Sequence, residues 1–353
     1  MATTAPQRPG PATTDAGAPA PGRTNLPANW REALSTGNLP EHGRVDVVTK
    51  WLVLTRAAVL PMTLTSGIVA GLLAVGHPDL HTGWLALALV GIVLAHVANN
   101  LMNDLADLAV GTDNADYPRA LYAPHPVLSG LTTKRGLLAI ALSVNVADLA
   151  IMVVLTAARG WPIVGFALGG FLLSVAYTSP PLRLKKRGLG EPTVLVVWGP
   201  LMVGGTYYAA TGEVTWPVIA VSIPYALLST AVLMGKHIDK LPWDERDGTR
   251  TLPVILGEAR ARTATRAMMV AFYPGIALLV ALDWLPVTTL VAVLGLTALS
   301  KVWGAFAHPR PSEPPRRWPI WPLWFAALAF VHTRRAGALF ILGLAAGAAL
   351  GLT

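Results

Sequence analysis

Long apolar runs constrain this chain more than any other feature; examples are Gly83 to Ala98, Gly136 to Ala158 and Gly337 to Leu352. A helix needs about 20 apolar residues to cross a bilayer. Within lipid, only helices and closed barrels satisfy every backbone N–H and C=O. The runs do not alternate polar and apolar residues as barrel strands do. The expected fold class is therefore all-α, a multi-span transmembrane helical bundle. Composition agrees: 13% of residues are charged, against about 25% in soluble domains.

Nine spans are expected, at 57–76, 83–102, 136–157, 162–178, 192–211, 216–236, 263–283, 287–305 and 336–352. Trp318 to Val331 is apolar but short and rich in Pro and Trp. It reads as an interfacial or re-entrant piece, with a tenth span as the competing reading. Residues 1–45 hold no apolar run and read as a disordered cytoplasmic tail before one membrane domain, 46–353. Deleting residues 1–40 is accordingly expected to spare activity. No secretory signal peptide is expected, because no apolar stretch lies near Met1. The absence of cysteine excludes disulfides and thiolate metal sites.

The net charge of +8 does not point to nucleic acid, because the basic residues flank the apolar spans. There they set topology, and basic short loops stay in the cytoplasm. One set of connections carries Arg119, Lys134 and Arg135, then Arg183, Lys185, Lys186 and Arg187, then Lys236 through Arg262, then Arg310, Arg316 and Arg317; the other carries only Arg159. Both acidic loops, 103–116 and 239–247, therefore fall on one cytoplasmic side.

The first acidic loop reads Asn99-Asn100-Leu-Met-Asn103-Asp104-Leu-Ala-Asp107. Asp104 and Asp107 share a helix face. Two carboxylates beside lipid are costly to desolvate. A divalent cation offsets that cost, and carboxylates with phosphate co-ligands suit Mg²⁺. The plain alternative is a solvated acidic helix end. The second loop reads Lys236-His237-Ile-Asp239-Lys240-Leu-Pro242-Trp-Asp244-Glu-Arg-Asp247-Gly248. Asp239 and Asp244 do not share a regular helix face. Pro242 is expected to break or bend the helix, and an unbroken helix would make Asp247 the partner of Asp244 instead. An ordinary charged loop is the alternative here. Arg119 and the Arg183–Arg187 cluster offer phosphate-binding cations, or else topology and lipid-headgroup contacts. Asn145 and Asp148 lie inside a span, where a structural role is expected for Asp148. His96 reads as a packing residue, and His237 as the better candidate for substrate contact.

These residues resemble the UbiA superfamily of intramembrane prenyltransferases. Asn103-Asp104-Leu-Ala-Asp107 is similar to its NDxxD-type signature. Gly111-Thr112-Asp113, Tyr177-Thr178, Arg187-Gly-Leu-Gly-Glu191 and Gly199 through Tyr208 look like the dihydroxynaphthoate prenyltransferases of menaquinone synthesis. Gly248-Thr-Arg-Thr251-Leu-Pro253 resembles the tail of the family's second motif, usually DxxxD, yet the position four before Asp244 holds Lys240.

The resemblance implies a bundle around a central cavity open to the cytoplasmic leaflet of a bacterial cell membrane. Mg²⁺ would be held by Asp104, Asp107, Asp239 and Asp244, and the diphosphate also by Arg119, Lys185 and Asn103. Asn99, Asn100, Tyr177 and His237 would contact substrates. The implied partners are a prenyl diphosphate, a hydrophobic aromatic acceptor and membrane lipids. Prenyl transfer to a non-aromatic acceptor, or cyclisation, is the alternative within the family; a cation-coupled transporter is the alternative outside it.

Overall fold

The computed structural model describes residues 26–39, 45–109, 123–316 and 318–352. All its regular elements are helical, joined by one isolated backbone bridge between Arg187 and Arg250. In chain order they are α1 (Leu26–Thr36), α2 (Val47–Leu54), α3 (Leu60–Leu73), α4 (Thr82–Ala109), α5 (Lys134–Arg159), α6 (Pro162–Thr178), α7 (Gly190–Thr211), α8 (Trp216–Arg246), α9 (Leu252–Leu256), α10 (Glu258–Ala281), α11 (Val287–Trp303) and α12 (Phe325–Ala349).

Local sequence sets the boundaries. Proline lies in the first turn of α3, α6 and α8, where its missing N–H costs nothing. Thr133 caps α5 by accepting from the Gly136 N–H. Gly160 and Gly212 end α5 and α7 at positive φ. Pro200 lies in a π-helical stretch, Val197–Gly204, within α7.

Among the described residues, α4, α5, α7, α8, α10 and α12 are long and apolar enough to cross a membrane. The α2–α3 stretch, bent by 60° at Arg56, makes a seventh candidate, while α6 and α11 are shorter apolar helices. The nine expected segments are thus present in order, but two fall short of span length. The last helix begins at Phe325 rather than 336, so 325–331 is its first two turns and not a separate interfacial piece.

The main core packs α3, α7, α8, α10, α11 and α12 around Leu228, Met234, Phe272, Phe306, Phe325 and Phe340. One of its close crossings is at Gly235 of α8. A Cβ there would lie 2.7–2.8 Å from the backbone of Phe325 and Ala326. Only glycine lets α12 start so close.

A further difference from the sequence reading is α1, which lies inside the expected tail. Its Trp30 indole N–H donates to Asp46 at 3.0 Å, and Asn38 donates to the Pro319 carbonyl at 3.3 Å. Asp46 caps α2 and also accepts from the Thr49 hydroxyl and N–H, which holds its carboxyl well below the usual carboxylate range. α1 therefore packs on the bundle, and the deletion expectation divides. Removing residues 1–25 should leave thermal stability in detergent and turnover near wild type. Removing 1–40 should lower both, because the Trp30 and Asn38 contacts go with it. Equal behaviour of the two truncations would sink this role for α1.

Candidate active site

The described part of the first acidic loop, 103–109, and the second acidic loop lie at one end of the bundle. Lys185 Nζ meets the Asp107 carboxylate at 3.3 Å, the Arg187 and Arg250 backbones pair, and Arg310 donates to the Asp239 carbonyl at 2.7 Å. Arg159, the lone basic residue of the opposite set, is at the other end. It donates to the carbonyls of Asp79, Ala209 and Ala210, near the His77–Glu213 pair. The charge asymmetry read from sequence therefore sorts the loops as the fold does.

A cavity of about 1190 Å³ lies among α2 to α8, bordered by the ends of α1 and α12. Its depth is apolar, lined by residues such as Ile92, Leu155, Phe166 and Leu201. Leu138, Leu142 and Leu149 of α5 line it while remaining 45–55% exposed. On that flank α5 is the least buried of the six long apolar helices. Its polar end is cationic: Arg56, Lys134, Lys185, Lys236 and Lys240 line it, with Asp107 as the lining carboxylate there among the described residues, while Asp148 lines the depth beside Gly91.

Asp107 lies at the centre of this end. Lys185, Lys240 and Arg56 all act electrostatically on its carboxylate. Asp104, fully buried, pairs with the Arg56 guanidinium. Arg56 holds a left-handed conformation, φ 54°, at the α2–α3 bend. For a non-glycine residue this costs about 1–3 kcal/mol and is characteristic of functional sites. Asp104 thus meets the cavity through Arg56, and Asp107 meets it directly. A smaller pocket of about 190 Å³ beside Asp107 is lined by Arg183, Lys185, Lys186 and Tyr177.

The remaining expected site residues divide. Asn99, Asn100, Asn103, Tyr177 and His237 all line the cavity. Asn99 Oδ1 accepts from the Ser174 hydroxyl at 2.6 Å, and Asn100 donates to the Thr55 carbonyl at 3.3 Å. The Tyr177 hydroxyl feels the charges of Glu191, Asp107 and Asp244, so α4, α6, α7 and α8 converge on it. Asp244 is buried. His96 packs as expected, with Nδ1 2.7 Å from the Thr63 hydroxyl and its ring edge-on to Trp198. Arg119 lies outside the described residues.

Asp239 is where the structure corrects the sequence reading. Pro242 does not break α8, which runs unbroken from Trp216 to Arg246. Over five residues of unbroken helix, two side chains point about 140° apart. Asp239 accordingly faces α12, and its two oxygens accept from the Phe325 and Ala326 N–H groups, each at 2.9 Å. It is the N-terminal cap of the last helix, one turn from the Gly235 crossing. Arg310 secures the same junction, donating to the Asp239 and Pro322 carbonyls between the rings of Trp243 and Trp321. Asp247, the alternative ligand, is part-exposed and paired with Arg246.

Sequence reasoning missed Arg56, Glu191 and Lys240. Glu191, buried at the start of α7, holds His237 Nδ1 at 2.7 Å through Oε1, while its Oε2 has no hydrogen-bond partner among the described residues. An acid in a first helical turn reads as an ordinary partner of the macrodipole. Its place in Arg187-Gly-Leu-Gly-Glu191 was the available signal. Arg56 carried none.

Asp104, Asp107 and Asp244 are hard oxygen donors of the kind Mg²⁺ takes. No three acidic or histidine side chains among the described residues gather around one point as a self-sufficient metal site. The donor set fits an ion completed by phosphate oxygens.

The profile of the UbiA prenyltransferase family matches residues 63–331. A 1,4-dihydroxy-2-naphthoate octaprenyltransferase from Mycobacterium tuberculosis is 31% identical over 259 residues, covering 72% of this chain and 86% of that protein. A digeranylgeranylglyceryl phosphate synthase from Natronomonas pharaonis is 29% identical over 259 residues, covering 71% and 85%. The apo structure of a UbiA homolog from Aeropyrum pernix K1 superposes with a TM-score of 0.55 at 17% identity, covering 83% of this chain and 97% of that one. That likeness establishes a shared fold.

Proposed function

Because the chain belongs to the UbiA prenyltransferase family, we propose that it transfers a prenyl group from a prenyl diphosphate to an aromatic, naphthoate-type acceptor, with Mg²⁺, at the cytoplasmic end of its cavity. The observation that carries this reading is the union of an apolar chamber with a cationic mouth around Asp107. The chamber suits a hydrocarbon chain. The mouth suits a polyanion. The relative from Mycobacterium tuberculosis, named for a naphthoate substrate, supports the acceptor class. Membership of a prenyltransferase family sets the transporter alternative aside.

Asp104, Asp107 and Asp244 would hold the metal jointly with the diphosphate. Mg²⁺, when bound, supplies Lewis-acid stabilisation of the charge that develops on the leaving diphosphate. Arg56 and Lys185 add fixed positive charge at the same place, and their preorganisation lowers the barrier to C–O cleavage. The electron pair of that bond leaves with the diphosphate. The allylic cation left behind lies in an apolar chamber that excludes water; an electron-rich acceptor carbon supplies the electron pair of the new C–C bond, and loss of the proton on that carbon, to the released diphosphate, restores the aromatic ring. Tyr177 and the Glu191-held His237 line the path the acceptor would take.

The test is turnover of labelled prenyl diphosphate by purified protein, with and without Mg²⁺. A naphthoate acceptor is compared with a glyceryl phosphate lipid, the class named for the Natronomonas pharaonis relative. Product with the naphthoate alone supports the reading. Product with the lipid alone moves the acceptor to the non-aromatic class, and no metal-dependent release of diphosphate overturns the reading.

The side of the membrane is tested separately. Single cysteines in this cysteine-free chain at Asp107, Lys186, Asp244 and Arg316 should all be shielded from a periplasmic thiol reagent, and one at the exposed Glu213, beside the buried Thr211, should react. Periplasmic labelling at Asp244 but not Asp107 would contradict a shared site.

A further inference from the structure

Lys240 is only 4% exposed, on the face of α8 that lines the polar end of the cavity with Lys236 and His237. With α8 unbroken, Lys240 and Asp244 are one turn apart and share that face. From α4, Asp107 lies within electrostatic reach of the Lys240 ammonium. Asp239, the nearest carboxylate along the helix, is turned away and tied to the start of α12. The DxxxD pattern would place a metal-binding carboxylate where this chain has Lys240.

Charge arithmetic gives that exchange a meaning. A carboxylate holding a divalent cation presents a net charge of about +1 to an incoming phosphate, and an ammonium presents about the same with no metal at all. Burying an ammonium within a membrane bundle costs several kcal/mol unless anions surround it. Asp107 contributes to that balance, and a diphosphate would add to it.

We propose that Lys240 is a built-in cation of the diphosphate site, binding diphosphate oxygens directly and giving this protein an affinity for diphosphate that does not depend on divalent metal. This rests on the prenyl diphosphate reading above and deepens it. Metal bound through Asp104, Asp107 and Asp244 then adds to a site that is already partly charged.

The test is calorimetric binding of inorganic pyrophosphate to the purified full chain, in EDTA and in Mg²⁺. Wild type is expected to bind in both. Lys240→Met should weaken binding in EDTA by about tenfold or more, the worth of one charge-assisted hydrogen bond, and weaken it less in Mg²⁺. Lys240→Asp should lose binding in EDTA, regain it in Mg²⁺ and take up more Mg²⁺ per chain. Lys240→Arg keeps the charge and should keep binding in EDTA, which separates loss of the cation from loss of the fold. Wild-type binding in Mg²⁺ but not in EDTA overturns the proposal, as does an equal loss in both conditions for Lys240→Met. Absence of pyrophosphate binding under either condition overturns the diphosphate-site reading itself, and the proposal with it.

Discussion

Asp107→Asn is expected to lower prenyl transfer by about 10²- to 10³-fold, the effect of removing one preorganised group that stabilises transition-state charge, and to raise the Mg²⁺ concentration needed for half-maximal rate. The carboxylate is the point on which Lys185, Lys240 and Arg56 converge at the cavity mouth. An amide keeps its shape but gives a cation a far weaker ligand and removes the charge that Lys185 meets at 3.3 Å. Asp247→Asn is the control, because Asp247 is part-exposed and engages Arg246 away from the cavity; its activity should stay within about twofold of wild type, as for most surface changes. Steady-state rates over a Mg²⁺ series measure both. An Asp107→Asn protein with wild-type rate and wild-type metal dependence would remove Asp107 from the reaction.

The second large effect is on stability. Asp239→Leu should destabilise the detergent-solubilised protein by about 2–4 kcal/mol, through loss of a helix cap and of two charge-assisted hydrogen bonds. Phe325 and Ala326 would be left with buried N–H groups facing hydrocarbon. Asp239→Asn should fall between, since its amide accepts through one oxygen and opposes the other N–H with a donor. In both variants the activity that remains should show the wild-type Mg²⁺ midpoint. Thermal unfolding and a metal titration on the same preparations decide the matter. An unchanged melting temperature with a shifted Mg²⁺ midpoint would return Asp239 to the metal.

These two aspartates show how far the sequence could be read. Asp104 and Asp107 were legible because helical spacing alone puts them on one face, and the spans were legible because lipid admits so few backbone solutions. The gathering of Asp107 and the second acidic loop at one end followed from the basic residues around them. Asp239 was misread because Pro242 was given the effect it has in an exposed helix. In a packed bundle, neighbouring groups hold a helix in place despite the proline: Pro242 takes the helical donor from the Ile238 carbonyl, and Arg310 donates to the next carbonyl, that of Asp239. Arg56, Glu191 and Lys240 were illegible as site residues for another reason. Each is brought to the cavity by the crossing of helices distant in the chain, and such crossings leave no periodicity in any one segment.

The Asp239 cap also has a consequence for biosynthesis. The carboxylate is made 86 residues before the N–H group of Phe325 that satisfies one of its oxygens, while the Ala326 N–H satisfies the other. Until α12 leaves the ribosome and enters the membrane, α8 carries a carboxylate whose helix-capping partners do not yet exist. The second acidic loop, with Lys240 and Asp244, is on that same helix. Assembly of the reactive end is therefore tied to the final insertion event. A chain cut short before Phe325 would hold most of the residues discussed above and lack the junction that fixes their helix, so that completion of translation itself gates the emergence of a working enzyme.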